Sequence, residues 1–172
     1  IEAVVNVLKS DYLTTGPKIA EFERKVADYT GAKYAVAIAN GTAALHAACY
    51  AAGIGEGDEV ITTPLTFVST NHAILLAKLN PVFADIDDTL CLDPESVEKL
   101  ITSKTRAILY VGMGGNTGEY IKIVKICEKY GLKLVLDAAH MAGTRLNGEI
   151  PGKEAEVVNY SFQAVKNLPT AD

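Results

Sequence analysis

A chain of 172 residues that is 49% hydrophobic and 22% charged can build one core of ordinary size and is not an intrinsically disordered segment. Its formal charge of -5, with no block of Lys or Arg, leaves no broad electrostatic basis for binding nucleic acid or anionic lipid. No apolar run is long enough to span a bilayer, and no basic stretch leads into a short apolar one as in a secretory signal.

Taken in chain order, residues 1–10 predict a short amphipathic helix. A second helix starts at Pro17, where a missing N–H costs nothing, carries Ile19, Phe22, Val26 and Tyr29 at helical spacing, and stops at Gly31. A repeating unit follows. YAVAIAN (34–40) predicts a strand and GTAALHAACYAAG a helix; DEVITT (58–63) a strand and TFVSTNHAILLAKLN a helix. PVFADID (81–87) predicts a third strand, before a helix at 93–101 capped by Asp93 and started by Pro94. TRAILYVG (105–112), a helix within 116–131, LKLVLDAA (132–139) and EVVNYSF (156–162) complete the series. Apolar strands alternating with helices imply an α/β fold, a mostly parallel sheet covered on both faces. Ligands in such sheets bind beyond the carboxyl ends of the strands.

The chemistry-bearing residues cluster at those ends. NGTAAL (40–45) joins a strand to a helix; the N–H groups of Gly41, Thr42 and Ala43 and the Thr42 hydroxyl can receive an anion, although an ordinary cap with a tight-turn glycine explains the same text. Neither a Walker A loop nor GxGxxG is present, which disfavours a nicotinamide-binding protein. Asp137 closes an apolar run and needs a partner, either a nearby base or a protonated pyridine nitrogen. His140 lies three residues on, placed to hold Asp137 or to reach a ligand oxygen. Phe67 follows a proline-led turn and can stack on a flat ring or pack in the core. Ser161 and Lys166 follow the last strand, and a lysine there can condense with an aldehyde if its pKa is lowered. His46, His72 and His140 are too widely spaced to suggest a metal site, and none is expected. Cys49, Cys91 and Cys127 have no metal-ligand spacing and form no closed disulfide set, which points to a reducing, cytoplasmic setting.

The order and spacing of LTTGPKIAEFE, NGTAALHAA, GDEVITTPLTFVSTNHAIL, PVFADID, LDAAHMAGT and YSFQAVKNL resemble the DegT/DnrJ/EryC1/StrS aminotransferases over nearly the whole chain. The resemblance implies a three-layer α/β/α large domain of the fold type I pyridoxal-phosphate enzymes. It implies that residues 1–172 hold the N-terminal segment and most of that domain, truncated before one core strand and the C-terminal small domain. Residue by residue, Lys166 matches the internal-aldimine lysine, Asp137 the partner of the pyridine nitrogen and Phe67 the stacking aromatic. Gly41 opens the phosphate loop; Thr42, Ala43 and Ser161 match the phosphate cradle, and His140 the position beside the cofactor's phenolic oxygen. TTGP (14–17) resembles a loop near the dimer interface of the homodimeric family.

The reaction so implied moves an amino group from glutamate or glutamine to a nucleotide-linked ketosugar, for amino-sugar and polysaccharide biosynthesis. A dehydratase or lyase using the same cofactor, and a non-catalytic relic of the fold, are the alternatives. The dehydratase branch of the family carries His where this chain has Lys166. The segment YVGMGGNTGEY (110–120) departs from the commoner family text and lacks its histidine, which leaves room for an altered substrate preference.

Overall fold

The computed structural model describes residues 1–170. The chain divides into two compact units, Ile1–Ile38 and the remainder from Ala39. The first holds α1 (Glu2–Leu8) and α2 (Pro17–Thr30). Helix α2 begins where Pro17 allows it, and Gly31 ends it in the left-handed conformation at φ 74°. Of its expected apolar stripe, Ile19, Phe22 and Val26 are half-buried and Tyr29 is exposed.

The second unit contains α3 (Gly41–Ala51), β1 (Glu59–Thr62), α4 (Ser69–Leu76), β2 (Asn80–Phe83), α5 (Pro94–Lys99), β3 (Thr105–Val111), α6 (Tyr120–Tyr130), β4 (Lys133–Asp137) and β5 (Val157–Asn159). The five strands form one sheet in the order β2-β1-β3-β4-β5, with every pairing parallel. Parallel neighbours need crossover connections: α4 lies between β1 and β2, α5 between β2 and β3, and α6 between β3 and β4, whereas β4 reaches β5 through irregular chain.

Alternation along the strands separates two cores. Val60, Ala107, Leu109, Val111 and Val135 face one way and pack with Ala48, Cys49 and Ala52 around α3 and Ile74 and Ala77 around α4. Ile61, Ile108, Tyr110, Leu134 and Leu136 face the other way and pack with Val97 of α5 and Tyr120, Ile123 and Cys127 of α6. Both faces are covered, so both sets of alternating side chains are apolar. The expected α/β/α layering is therefore present in this unit. The expected cap of α5 is also present: the Asp93 carboxylate accepts from the Glu95 and Ser96 N–H groups.

Residues 34–40 differ from expectation. No described strand pairs with them, and they form no strand. Tyr34 and Val36 are 75% and 74% exposed. β-branched and aromatic residues favour a pleated surface only where a neighbouring strand completes the ladder. The helix expected from Thr66 starts at Ser69, and the one expected within 116–131 starts at Tyr120, after a single 3-10 turn at Met113–Gly115. The last strand ends at Asn159, so Ser161 lies in irregular chain just beyond it.

Ile108 sits on the central strand with no exposure. Ile108→Ala is expected to lower unfolding free energy by roughly 2–5 kcal/mol, read from the midpoint of a urea titration.

Candidate functional site

The carboxyl ends of β3, β4 and β5 are in register, aligning Val111, Asp137 and Asn159. Asp137 is only 4% exposed. A carboxylate in that position must be bonded. The Thr70 hydroxyl donates to its Oδ2 at 2.8 Å, and the Ala139 N–H donates to its Oδ1 at 3.1 Å. Burial pushes the Asp137 pKa up, opposed by those two bonds and by the more distant His140 and Lys166. The ionised form thus sits in a site that would be eased by a further positive partner.

His140 lies beyond the end of β4, half-buried. Its Nδ1 accepts the Gly114 backbone N–H at 3.2 Å. A backbone N–H can only donate, so Nδ1 carries no proton and Nε2–H is the donor. Burial, then the positive charge of Lys166, push the His140 pKa down, while Asp137 opposes them. The neutral ring is thus favoured twice, by electrostatics and by a fixed donor.

That donor comes from the divergent segment at 110–120, and its glycines explain the text. A Cβ on Gly112 would lie 2.1 Å from the Met141 sulfur. Gly115, at φ 85°, would bring a Cβ to 3.0 Å from the His140 carbonyl oxygen. The Thr144 hydroxyl donates to the Gly115 carbonyl at 2.9 Å. Glycine therefore lets this loop close onto the His140–Met141 segment.

A second cluster surrounds the start of α3. The Asn40 side chain caps the helix by accepting the Ala43 N–H at 2.9 Å. Ala43 is therefore already bonded, whereas Gly41 and Thr42, in the first turn, have no intrahelical acceptor. Gly41 is not in the left-handed region. It lies directly against Ser161 and Asn159: a Cβ on it would make ordinary van der Waals contact, 3.8 Å from Ser161 Cβ and 4.0 Å from Asn159 Nδ2. The Asn159 Nδ2 is buried with no hydrogen-bond partner. An unpaired buried donor beside a helix start and a serine hydroxyl fits an anion. The Thr42 and Ser69 hydroxyls are bonded at 2.7 Å, joining the first turns of α3 and α4.

Lys166 is half-buried in a turn after β5, where its N–H donates to the Gln163 carbonyl at 2.8 Å. The turn is tied down on both sides. The Asn167 side chain donates to the carbonyls of His140 and Ala142, and Thr170 bonds the Phe162 carbonyl through both N–H and hydroxyl. Phe67, 71% exposed, stands in the turn between β1 and α4 and has not joined the core.

Asp137, His140 and Lys166 are thus brought into electrostatic contact, while Gly41 and Ser161 meet at the helix start. Thr70 and Asn159 were not legible as site residues. A threonine in a first helical turn reads as a local cap, and an asparagine at a strand end as a stop. The three cysteines are buried, and burial pushes the Cys49 and Cys127 thiols up to about 11 and about 12. Among the described residues no group of three His, Cys, Asp or Glu is placed to hold a metal, and no helix is long and apolar enough to cross a membrane.

The model of the DegT/DnrJ/EryC1/StrS aminotransferase family matches residues 1–172. The chain belongs to that family. It is 42% identical to the spore coat polysaccharide biosynthesis protein SpsC of Bacillus subtilis, over all of this chain and 44% of that protein. It superposes on Helicobacter pylori PseC, an aminotransferase involved in the biosynthesis of pseudoaminic acid, with a TM-score of 0.93 at 33% identity, covering 99% of this chain and 47% of PseC. NtdA of Bacillus subtilis, solved with bound cofactor PMP, gives a TM-score of 0.88 at 31% identity, covering 98% of this chain and 39% of NtdA. The chain therefore spans less than half the length of these relatives. Likeness to the family's solved members makes the fold that of the fold type I large domain.

Nitrogen-15 NMR of the His140 side chain is expected to show an unprotonated Nδ1 and a protonated Nε2, with the ring still neutral as pH falls below its ordinary 6.5. The folded state then binds fewer protons than the unfolded one, so this histidine's contribution to stability is intact above 6.5 and is lost as pH falls below it. Asp137 has the opposite sign. Its raised pKa makes folding favour the protonated acid, so its contribution is best near 3.8 and below and is lost as pH rises through the folded value. Asp137→Asn is expected to raise the melting temperature of the cofactor-free chain at neutral pH, by an amount that shrinks in acid; calorimetry across pH checks both.

Proposed function

We propose that the whole protein is a pyridoxal-phosphate-dependent aminotransferase that moves an amino group from glutamate or glutamine to a nucleotide-linked ketosugar. This chain supplies its N-terminal segment and most of its cofactor-binding large domain. The observation that carries the reading is the clustering, beyond the strand ends, of a buried carboxylate, a half-buried lysine and an unpaired buried amide beside the start of α3. Family membership and the PMP bound to NtdA support the cofactor. The roles of SpsC in spore coat polysaccharide and of PseC in pseudoaminic acid biosynthesis support a sugar acceptor.

The donors present fit the cofactor. Gly41 and Thr42 of α3, Ser161 and the unpaired Asn159 amide would hold the phosphate. The Thr42 and Ser69 hydroxyls share one hydrogen bond, so one hydroxyl hydrogen of the pair remains for the anion. Ala43 contributes through the cap that shapes the loop. Asp137 would hold the protonated pyridine nitrogen, and the exposed Phe67 ring offers a face for stacking. The Nε2–H of His140 is a fixed donor for the phenolic oxygen.

When bound, pyridoxal phosphate supplies an aldehyde that reacts with amines and a ring that withdraws electrons from the carbon beside the nitrogen. Lys166 Nζ would be the amine that holds the cofactor and, when freed, the base that moves the proton of the substrate's alpha carbon. Asp137 would keep the ring nitrogen protonated, the condition for effective electron withdrawal. Retention of Lys166 favours amine transfer over dehydration. The protein acts as a cytoplasmic homodimer on this reading.

The test is reduction with borohydride after adding pyridoxal phosphate, followed by peptide mass analysis. One phosphopyridoxyl group is expected on Lys166 and none in Lys166→Ala. Labelling of other lysines alone, or equal labelling of the variant, would remove Lys166 from the role.

A further inference from the structure

The Asp137 carboxylate is anchored by more than one threonine. Thr66 lies in the turn after β1, Thr70 in the first turn of α4, and Asp137 at the end of β4. The Thr66 and Thr70 hydroxyls are 2.8 Å apart, and Thr70 donates to Asp137 Oδ2 at 2.8 Å. A hydroxyl has one hydrogen. Because an ionised carboxylate only accepts, the Thr70 hydrogen is committed to Asp137, and Thr66 must be the donor to the Thr70 oxygen. The pair is a directed relay, Thr66 to Thr70 to Asp137.

The relay is held in place. Thr70 is 1% exposed, and its N–H donates to the Phe67 carbonyl at 3.1 Å. The turn that carries Thr66 is wound by Leu65 N–H to the Thr63 hydroxyl and by Thr66 N–H to the Pro64 carbonyl. Each bond in such a chain polarises the next, and more so where water is excluded. Protonating Asp137 on Oδ2 would require both hydroxyls to reverse. The other groups acting on this carboxylate are the Ala139 N–H, His140 and Lys166, all from the opposite side of the chain's connectivity, after β4 and β5.

We propose that Thr70, oriented by Thr66, is a positioning residue that holds the Asp137 carboxylate ionised and in one rotamer for a cationic ring nitrogen. This rests on the reading of the site as a pyridoxal-phosphate site. Neither threonine touches the reacting atoms; both act through Asp137.

The experiment has a cofactor-free arm and a cofactor arm. In the cofactor-free chain, carbon-13 NMR follows the titration of the Asp137 carboxyl in the wild type, Thr70→Val, Thr70→Ser and Thr66→Val, with amide spectra reporting the fold. Removing the Thr70 hydroxyl is expected to move the titration upward, Thr70→Ser to return it towards wild type, and Thr66→Val to give a smaller upward shift. In the second arm, the dissociation constant for pyridoxal phosphate is expected to weaken about 10–100-fold in Thr70→Val, the size of a lost bond to a charged group, and to be rescued by Thr70→Ser. An unmoved Asp137 titration in Thr70→Val overturns the relay. A shifted titration with unchanged cofactor affinity overturns the positioning role. Failure of the wild type to bind pyridoxal phosphate would instead bring down the reading of the site, and the cofactor-free arm would still report on the relay by itself.

Discussion

A carboxylate at the end of a parallel sheet is the constraint on which this site turns. Asp137 is placed by β4, whose neighbours on both sides are strands and whose two faces are covered by helices. Water cannot solvate it there, so its charge must be stabilised by donors brought from elsewhere. Thr70 arrives from the helix layer on one face, Ala139 from the chain's own turn, and Lys166 from the loop beyond β5. The site is therefore assembled by the same crossovers that build the sheet. A protein without that carboxylate could keep the fold with less electrostatic cost.

The same logic links the divergent loop to the site. Gly112, Gly114 and Gly115 replace bulk with backbone, and the backbone delivers one N–H to His140. The consequence is a ring whose tautomer is set by geometry. The loop's glycines thus have a structural account in its close approach to the His140–Met141 segment.

Much of the unit from Ala39 was legible because its signals are local or periodic. Helix starts at Pro17, Asn40 and Asp93 follow from missing or capped N–H groups, and the apolar strands follow from burial on two faces. Residues 34–40 were misread because a strand is not a local object: YAVAIAN has the right side chains but no partner among the described strands. Asp137, His140 and Lys166 were visible because each follows a strand. Thr70 and Asn159 were invisible because their importance lies in what approaches them, 67 residues away in the case of Thr70 and Asp137.

The amino-acid sequence by itself determined the family, the alternation of strands and helices, and the set of side chains able to do amine chemistry. These depend on residue identity and spacing, which are written along the chain. Only the tertiary structure decided that Ala43 is spent on a cap, that Gly41 lies against Ser161 and Asn159, that His140 is a neutral Nε2–H donor, and that two threonines line up behind Asp137. Those are facts of hydrogen-bond direction and close approach. They arise only when distant segments are packed together and each buried donor has to find, or wait for, its acceptor.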